Sequence, residues 1–193
     1  MTLTELIAEV VASTARPDLE TETKSAVKAA TLKLHHSDFY FKDLYETGIE
    51  FDETAYLQEV NLPLTFPRYR ALSYLRNYQD TVAGTLYDII SPVEIFDRYT
   101  RERTNVAYVA GSALKIKSSA AISTALIGIY QHPLITDELY TSWIANEYPY
   151  AIIYDAAARL LRQVAFDESA NNYAKLAGEE LAIMARNNIT PVG

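Results

Sequence analysis

The N-terminal part of the chain carries apolar residues at the spacing of amphipathic helices. Thr2 and Glu5 have the spacing of a capping box, and the apolar residues that follow share one helical face, which predicts a helix over residues 3–14. Pro17 suits the first turn of a second helix, because the N–H that proline lacks has no partner there. The apolar spacing continues to about His36, so the two helices are expected to form a hairpin.

The middle of the chain changes to apolar residues that alternate with polar ones, a pattern typical of half-buried strands. Gly111 marks a turn between two of these strands, and Ser91 with Pro92 predicts the start of a short helix. The predicted strands, separated by turns, cover residues 39–51, 56–64, 69–76, 86–90, 105–108, 113–117 and 123–130. This part of the chain is therefore expected to be an antiparallel, β-rich region.

The C-terminal part returns to helical spacing. Residues 136–138 predict the cap of a short helix that runs through Trp143, and Pro149 predicts the first turn of a long one. Asp167 is the expected cap of a last helix, whose face of small residues allows two helix axes to approach closely. Residues 187–193 end that helix and leave a short extended tail.

These patterns together predict an α+β fold. Its N- and C-terminal helices are expected to form a helical bundle, with an antiparallel β-rich subdomain inserted between them. The boundaries expected from the sequence are an N-terminal helical hairpin over residues 1–44 and a β-rich subdomain over residues 45–131. Residues 132–193 supply the C-terminal helices and tail, which pack with residues 1–44 as one helical domain.

Composition narrows the classes of function. The 193 residues carry 25 acidic and 17 basic side chains, and a net charge of −8 argues against tight binding along nucleic-acid backbones. The absence of cysteine excludes disulfides, a thiol nucleophile and a thiolate metal site. The start lacks a basic leader, and no apolar run approaches the ~20 residues of a membrane span, so a soluble protein is expected.

Candidate chemistry is sparse, and the sequence predicts neither a cofactor nor a metal. His35 and His36 are adjacent on a helix, where their side chains point about 100° apart and cannot share one ion, and His132 is expected to be isolated in a turn. No phosphate-binding or dinucleotide-binding glycine motif occurs. The enzyme alternative is a small hydrolase that uses Ser112, His132 and an acid, although the sequence around Ser112 lacks a nucleophile elbow.

One stretch of the middle region is locally basic. Arg98, Arg101 and Arg103 lie within six residues, with Asp97 directly before them and Glu102 among them. Two interpretations are open. The three arginines contact phosphate or an acidic patch of a partner, or they belong to a solvated loop with no partner.

Several phrases along the chain resemble the head-to-tail adaptor proteins of tailed bacteriophages, in the group that includes the tail tubular A-type proteins. The order of helical and β-rich regions and the chain length agree with this resemblance. The phrases are Ala30-Thr31-Leu32-Lys33-Leu34-His35-His36-Ser37-Asp38-Phe39-Tyr40, Phe66-Pro67-Arg68-Tyr69-Arg70, Ile129-Tyr130-Gln131-His132-Pro133, and Ser142-Trp143-Ile144-Ala145 leading into Tyr148-Pro149-Tyr150-Ala151.

The resemblance implies a structural virion protein and not an enzyme. Such adaptors form a ring, commonly of twelve copies, between the portal protein and the tail nozzle or next neck protein, and genomic DNA passes through the ring without sequence-specific binding. The protein is then expected at the neck of the virion, and in the host cytoplasm during assembly. The residues that the resemblance and the aromatic pattern offer as a partner interface are Trp143, Tyr148, Tyr150, Ile189, Pro191 and Val192.

A second virion role stays open beside the adaptor. A tail-completion or terminator subunit has the same interface-rich composition, with 15 tyrosines that suit both cores and wet interface rims. The ring to which the protein binds distinguishes the two roles.

Overall fold

The computed structural model describes residues 1–79, 82–96, 98, 101–136 and 138–188. These residues form a mixture of helices and strands, which confirms the predicted α+β class. The chain divides into two compact units. One, the helical unit, comprises Met1–Asp43 and His132–Gly193, and the other, the sheet unit, comprises Leu44–Gln131.

The bounds of the elements differ in places from those expected. The α-helices are α1 (Leu3–Thr14), α2 (Glu20–His36), α3 (Leu62–Thr65), α4 (Trp143–Glu147), α5 (Pro149–Gln163) and α6 (Asp167–Asn188). The strands are β1 (Leu44–Asn61), β2 (Tyr69–Gln79), β3 (Val82–Leu86), β4 (Asp88–Ile89), β5 (Val106–Ala110), β6 (Ala113–Gln131), β7 (Leu134–Ile135) and β8 (Tyr140–Thr141). Short 3₁₀ turns cover Pro17–Leu19, Phe41–Asp43 and Pro92–Glu94.

The N-terminal helices confirm the predicted starts and stops in most respects. Thr2 and Glu5 form both hydrogen bonds of the capping box, and α1 occupies the predicted residues 3–14. The helix stops at Ala15, whose φ of 52° is left-handed. Pro17 begins a 3₁₀ turn, so α2 starts three residues later than its proline and ends at His36 as predicted.

The predicted helix from residue 136 through Trp143 is wrong. The Thr136 hydroxyl accepts from the Leu139 N–H at 2.9 Å, and the Thr136 N–H donates to the Leu139 carbonyl at 2.8 Å. These bonds close the turn between β7 and β8, so the hydroxyl that was expected to cap a helix caps a hairpin instead. The helix begins later, with Ser142 as its N-cap, and the long helix at Pro149 is confirmed.

Helices from both ends of the chain share one apolar core. Leu6, Val27, Ile152 and Met184, from α1, α2, α5 and α6, are all fully buried in it. The buried apolar residues of α6 are Ala170, Ala177 and Met184, which are spaced seven residues apart. This helix therefore contributes only a narrow strip to the core. Much of the remaining surface of α6 faces solvent.

Strand β6 is the centre of the six-stranded sheet. It pairs with β1 along one edge and with β2 and β5 along the other, all antiparallel. Strand β3 extends the sheet beyond β2, and the short β4 runs parallel to β5. The left-handed φ of 64° at Gly111 confirms the predicted turn between β5 and β6.

Two pairs of predicted strands are in fact single long strands. Residues 113–117 and 123–130 belong to β6, which runs without a break. Its buried side chains change phase, from Leu114 and Ile116 to Ile127 and Ile129, and the pairing with β1 shifts register between these two stretches. An irregularity that changes the phase looks like a strand boundary in the sequence, although the backbone continues.

The expected strands over residues 39–64 are corrected in the same way. Phe41–Asp43 is a 3₁₀ turn, and β1 then runs as one strand through register shifts between Glu50 and Leu57. The expected strand at residues 62–64 is the short helix α3, because the Asn61 side chain accepts from the Leu64 N–H and caps it. The strand expected over residues 69–76 is confirmed as part of β2.

Two further expectations in the middle region are wrong in detail. The strand expected over residues 86–90 is interrupted at Tyr87. Strand β3 ends before it, at Leu86, and strand β4 begins after it, at Asp88. Ser91 is the N-cap, as predicted, and its N–H donates to the Glu94 carboxylate at 2.9 Å, but it starts only a three-residue 3₁₀ turn.

A row of three residues crosses the sheet where β1, β6 and β2 are adjacent. Gly128 lies opposite Glu46 on one side and Tyr74 on the other. A Cβ at Gly128 would collide with the Tyr74 ring, whose hydroxyl donates to the Glu46 carboxylate. Burial and this hydrogen bond raise the pKa of Tyr74 to about 12, so the hydroxyl remains a donor at neutral pH.

Candidate functional site

Trp143, the single tryptophan of the sequence, is half-buried at the first residue of α4. Its indole Nε1 donates a 2.8 Å hydrogen bond to Asp43 Oδ1. The rings that meet it edge-on, with centroids 5.8, 5.4 and 6.2 Å away, belong to His35, Tyr40 and Tyr148. The indole therefore joins the end of α2 to the starts of α4 and α5, an arrangement that fixes the entry to the long helix.

Beside this ring, three polar side chains form a continuous hydrogen-bonded chain. Ser142 Oγ lies 2.9 Å from His35 Nε2, and His35 Nδ1 lies 2.9 Å from Asp43 Oδ1. A carboxylate only accepts, so Nδ1 donates to Asp43, and in the tautomer with its proton on Nδ1 the other nitrogen, Nε2, accepts a hydrogen bond from the Ser142 hydroxyl. The sequence analysis missed this cluster, although His35 follows Val27 and Thr31 on the buried face of α2, where a polar ring needs partners.

The order of these groups is that of a Ser-His-Asp relay, in which the imidazole can take the serine proton. Ser142, His35 and Asp43 are, however, only 7%, 2% and 8% exposed, which closes the serine to an acyl substrate in this conformation. The Ser142 oxygen also accepts from the Ala145 N–H and thereby caps α4. The cluster is best explained as a buried polar junction that orients Trp143 and the start of α4.

The prediction that His132 is isolated is wrong. His36 Nε2 lies 2.9 Å from His132 Nδ1, and the two rings are tilted with centroids 4.9 Å apart. The pair joins the last residue of α2 to the segment that follows β6. Within the described residues, no group of three or more potential metal-ligating side chains comes together.

The remaining candidate interface residues differ in exposure. Tyr148 is half-buried, and its hydroxyl accepts from the Asn188 side chain at 3.2 Å. Tyr150 is 52% exposed and begins a row of rings that continues through Tyr154 to Tyr173, with centroids 5.6 and 5.9 Å apart. Of these tyrosines, Tyr150 offers the largest free surface.

The tail positions proposed for partner contact, Ile189, Pro191 and Val192, lie outside the described residues. Their role stays a prediction.

The basic group lies in the sheet unit before β5. Arg98 and Arg101 are exposed, and Arg103 lies 3.5 Å from the Asp88 carboxylate. The Arg103 N–H donates to the Ile95 carbonyl at 2.9 Å and so fixes the backbone of the loop. Asp88 partly balances the charge of this loop.

The two named residues of the hydrolase alternative lie in different units of the fold. Ser112 is an exposed turn residue of the sheet unit, and its carbonyl accepts from the Leu62 N–H at 2.9 Å. His132 belongs to the helical unit and pairs with His36.

An acidic strand edge is a feature that the sequence analysis did not identify. Strand β1 pairs only with β6 among the described residues, which leaves its other edge without a strand partner there. Its charged side chains are all acidic and all exposed, namely Glu46, Glu50, Asp52, Glu53 and Glu59. The signal was present in the sequence, because residues 44–61 contain no basic residue.

No protein-family model matches the chain, and no curated protein is significantly similar to it. Among the described residues, none of the helices combines the length and apolarity needed to cross a membrane.

Proposed function

We propose that the protein is a head-to-tail adaptor of a tailed bacteriophage, a structural virion protein that forms a ring between the portal and the tail. The proposal rests on the resemblance of the four phrases, and one structural observation supports it. Phrases that are far apart in the sequence meet in the fold.

Two of the phrases meet in the cluster around Trp143. His35 and Tyr40, from the first phrase, contact Trp143, from the last. The first phrase also reaches the third, through the pair of His36 and His132. Three of the four phrases therefore contribute side chains that contact one another in the helical unit.

The second phrase meets the third in the sheet unit. Tyr69, the first residue of β2, is the pairing partner of Gln131, the last residue of β6. Phe66, Pro67, Arg68 and Gln131 also line one shallow groove. Each quoted phrase therefore contacts another one, and the third phrase, which includes both Gln131 and His132, contributes a contact in each unit.

The proposal includes the finer architecture implied by the resemblance. The helical unit is a bundle, and the sheet unit is the β-rich subdomain inserted between its N- and C-terminal helices. Two compact units with these compositions support this assignment. In the adaptor, the helical unit binds the portal and neighbouring copies, and the sheet unit binds the tail nozzle or next neck protein.

The aromatic and charged surfaces suit this role. Tyr150 is the exposed aromatic anchor of the proposed partner interface, and Trp143 and Tyr148, whose half-buried rings meet edge-on, are its other aromatic members. Arg98, Arg101 and Arg103 are the proposed contacts for an acidic partner patch. A net charge of −8 disfavours adhesion of DNA, which lets the genome slide through the ring.

A binding experiment tests this function. DNA-filled capsids that carry the matching portal but no tail are mixed with the purified protein and sedimented. We expect the protein to co-sediment at a fixed number of copies per particle, and Tyr150→Ala to weaken binding while Phe166→Ala, which removes an exposed ring at the start of α6, does not. Co-sedimentation with isolated tails but not with capsids would instead support the tail-completion or terminator role.

A further inference from the structure

A cavity of about 350 Å³ lies in the helical unit between α2, α5 and α6. Its charged lining residues are Lys33, Asp155, Arg159 and Arg162. Three cations and one carboxylate leave a formal charge of +2 in the cavity, although the whole chain carries −8. An excess of positive charge in one cavity of an acidic protein indicates an anionic ligand.

Asp155 holds two of the cations in place. Its side chain is 9% exposed, and one oxygen accepts from Lys33 Nζ while the other accepts from Arg159 Nε at 2.6 Å. One buried carboxylate thus fixes two cations from two helices. A ligand that meets this pair loses less side-chain entropy than one that has to order free side chains.

Donors remain available in the cavity. Arg159 uses only Nε on Asp155, and its two Nη groups make no hydrogen bond within the described residues. Among the described residues, the Arg162 side chain makes one hydrogen bond, a long one of 3.5 Å from Nη2 to Asn171 Oδ1. The guanidinium groups of Arg159 and Arg162 can therefore donate to a further acceptor.

The wall formed by α6 leaves room for that acceptor. Gly178 lines the cavity from the middle of the helix, and a Cβ placed on it would meet nothing within 4 Å. Glycine is the least favourable residue in a helix interior after proline, so Gly178 does not stabilise α6. The missing side chain keeps the cavity open.

We propose that this cavity binds a doubly charged oxyanion, namely a phosphate group, whose charge matches the formal charge of +2 on the lining side chains. Arg159 and Arg162 contact the oxygen atoms directly, since a guanidinium matches the geometry of phosphate and carboxylate. Lys33 adds charge beside them. This site is separate from the aromatic interface at Tyr150 and does not depend on the adaptor function.

Titration of the ¹⁵N-labelled full-length protein tests the site, with the Nε–Hε resonances of Arg159 and Arg162 as the readout. The probes are inorganic phosphate and a short peptide with two adjacent glutamates, each at constant ionic strength. We expect saturable shifts that Arg162→Gln weakens about tenfold, the loss typical of one charge-assisted hydrogen bond. Lys175→Gln, which removes an exposed cation of α6 outside the cavity, changes the affinity less than about twofold.

The variant Gly178→Leu tests binding in the cavity without lowering the stability of the fold. Leucine is the better helix former, so the melting temperature does not fall, while its side chain fills the cavity and abolishes the shifts. We expect phosphate to bind more tightly than the peptide, and tighter binding of the peptide would contradict phosphate as the ligand. Absence of saturable shifts with both probes, or shifts unchanged in Arg162→Gln and Gly178→Leu, would overturn the proposal.

Discussion

The Trp143 indole donates to the same oxygen of Asp43 that accepts from His35, although 100 residues separate Trp143 from Asp43 in the chain. One carboxylate oxygen therefore orients two rings from two helices. Because Asp43 directly precedes β1, the same side chain also fixes the end of the helical segment that leads into the sheet unit.

Removal of the Asp43 carboxylate should destabilise the fold. Asp43→Ala leaves the Trp143 and His35 donors without their acceptor, at a cost of about 3 kcal/mol in the free energy of unfolding. Asp43→Asn retains an acceptor oxygen and should cost less. Urea denaturation followed by the fluorescence of the single tryptophan measures both, with Asp18→Ala, at an exposed surface ion pair, as the control. Equal stability of Asp43→Ala and the wild type would show that the junction contributes nothing.

Ser142 should act as a helix cap and not as a nucleophile. Ser142→Ala should lower the free energy of unfolding by about 1 kcal/mol, since it removes the acceptor for the Ala145 N–H. A fluorophosphonate that labels activated serines should leave the folded wild-type protein unlabelled, because the hydroxyl is buried. Labelling that disappears in Ser142→Ala would mean that the relay opens and functions as an active site.

Gly128 should resist substitution because the Tyr74 ring covers it. Gly128→Ala should cost about 1–3 kcal/mol, since the ring has to leave its position over β6. Gly48→Ala is the matched control in β1, where a Cβ meets nothing within 4 Å, and it should be neutral or stabilising. In Tyr74→Ala the cost of Gly128→Ala should fall by about 1 kcal/mol or more, and a double-mutant cycle measures this coupling. Independent effects would contradict the contact.

The acidic side chains of β1 should keep its free edge from pairing with other molecules. A variant with Glu50→Gln, Asp52→Asn and Glu53→Gln should associate at lower concentration than the wild type, because an exposed strand edge is a template for further strands. Light scattering against concentration measures this. The control neutralises three exposed carboxylates of α6, Glu168, Glu179 and Asp167, with the same change in net charge. If both variants associate at the same concentration, the net charge of the protein prevents association, and the position of the carboxylates on β1 does not matter.

The local signals in the sequence were sufficient for most helices. Thr2 with Glu5, and Pro149, act within one helical turn, so the sequence around them determines where α1 and α5 begin. The strands were harder to delimit, because the buried positions of β6 change phase at an irregularity that only pairing with β1 explains. Thr136 shows the same limit, since its hydroxyl can cap either a helix or a hairpin turn.

The candidate site could be predicted only in part. The sequence predicted a short helix near Trp143 and a long one from Pro149, and the structure places Trp143 at the first residue of α4, with its ring against Tyr148 before α5. Its partners His35 and Asp43 were missed, because they meet it through contacts between residues about 100 positions apart. The cavity between α2, α5 and α6 was missed for the same reason, since Lys33 and Asp155 are 122 residues apart.

Electron cryomicroscopy of the portal vertex tests the adaptor function most directly. Tail-less, DNA-filled capsids are imaged with and without the added protein. The proposed function predicts a new ring of density below the portal, commonly of twelve copies, into which the helical unit fits against the portal. An unchanged vertex, with the protein bound instead to the end of preassembled tails, would contradict it.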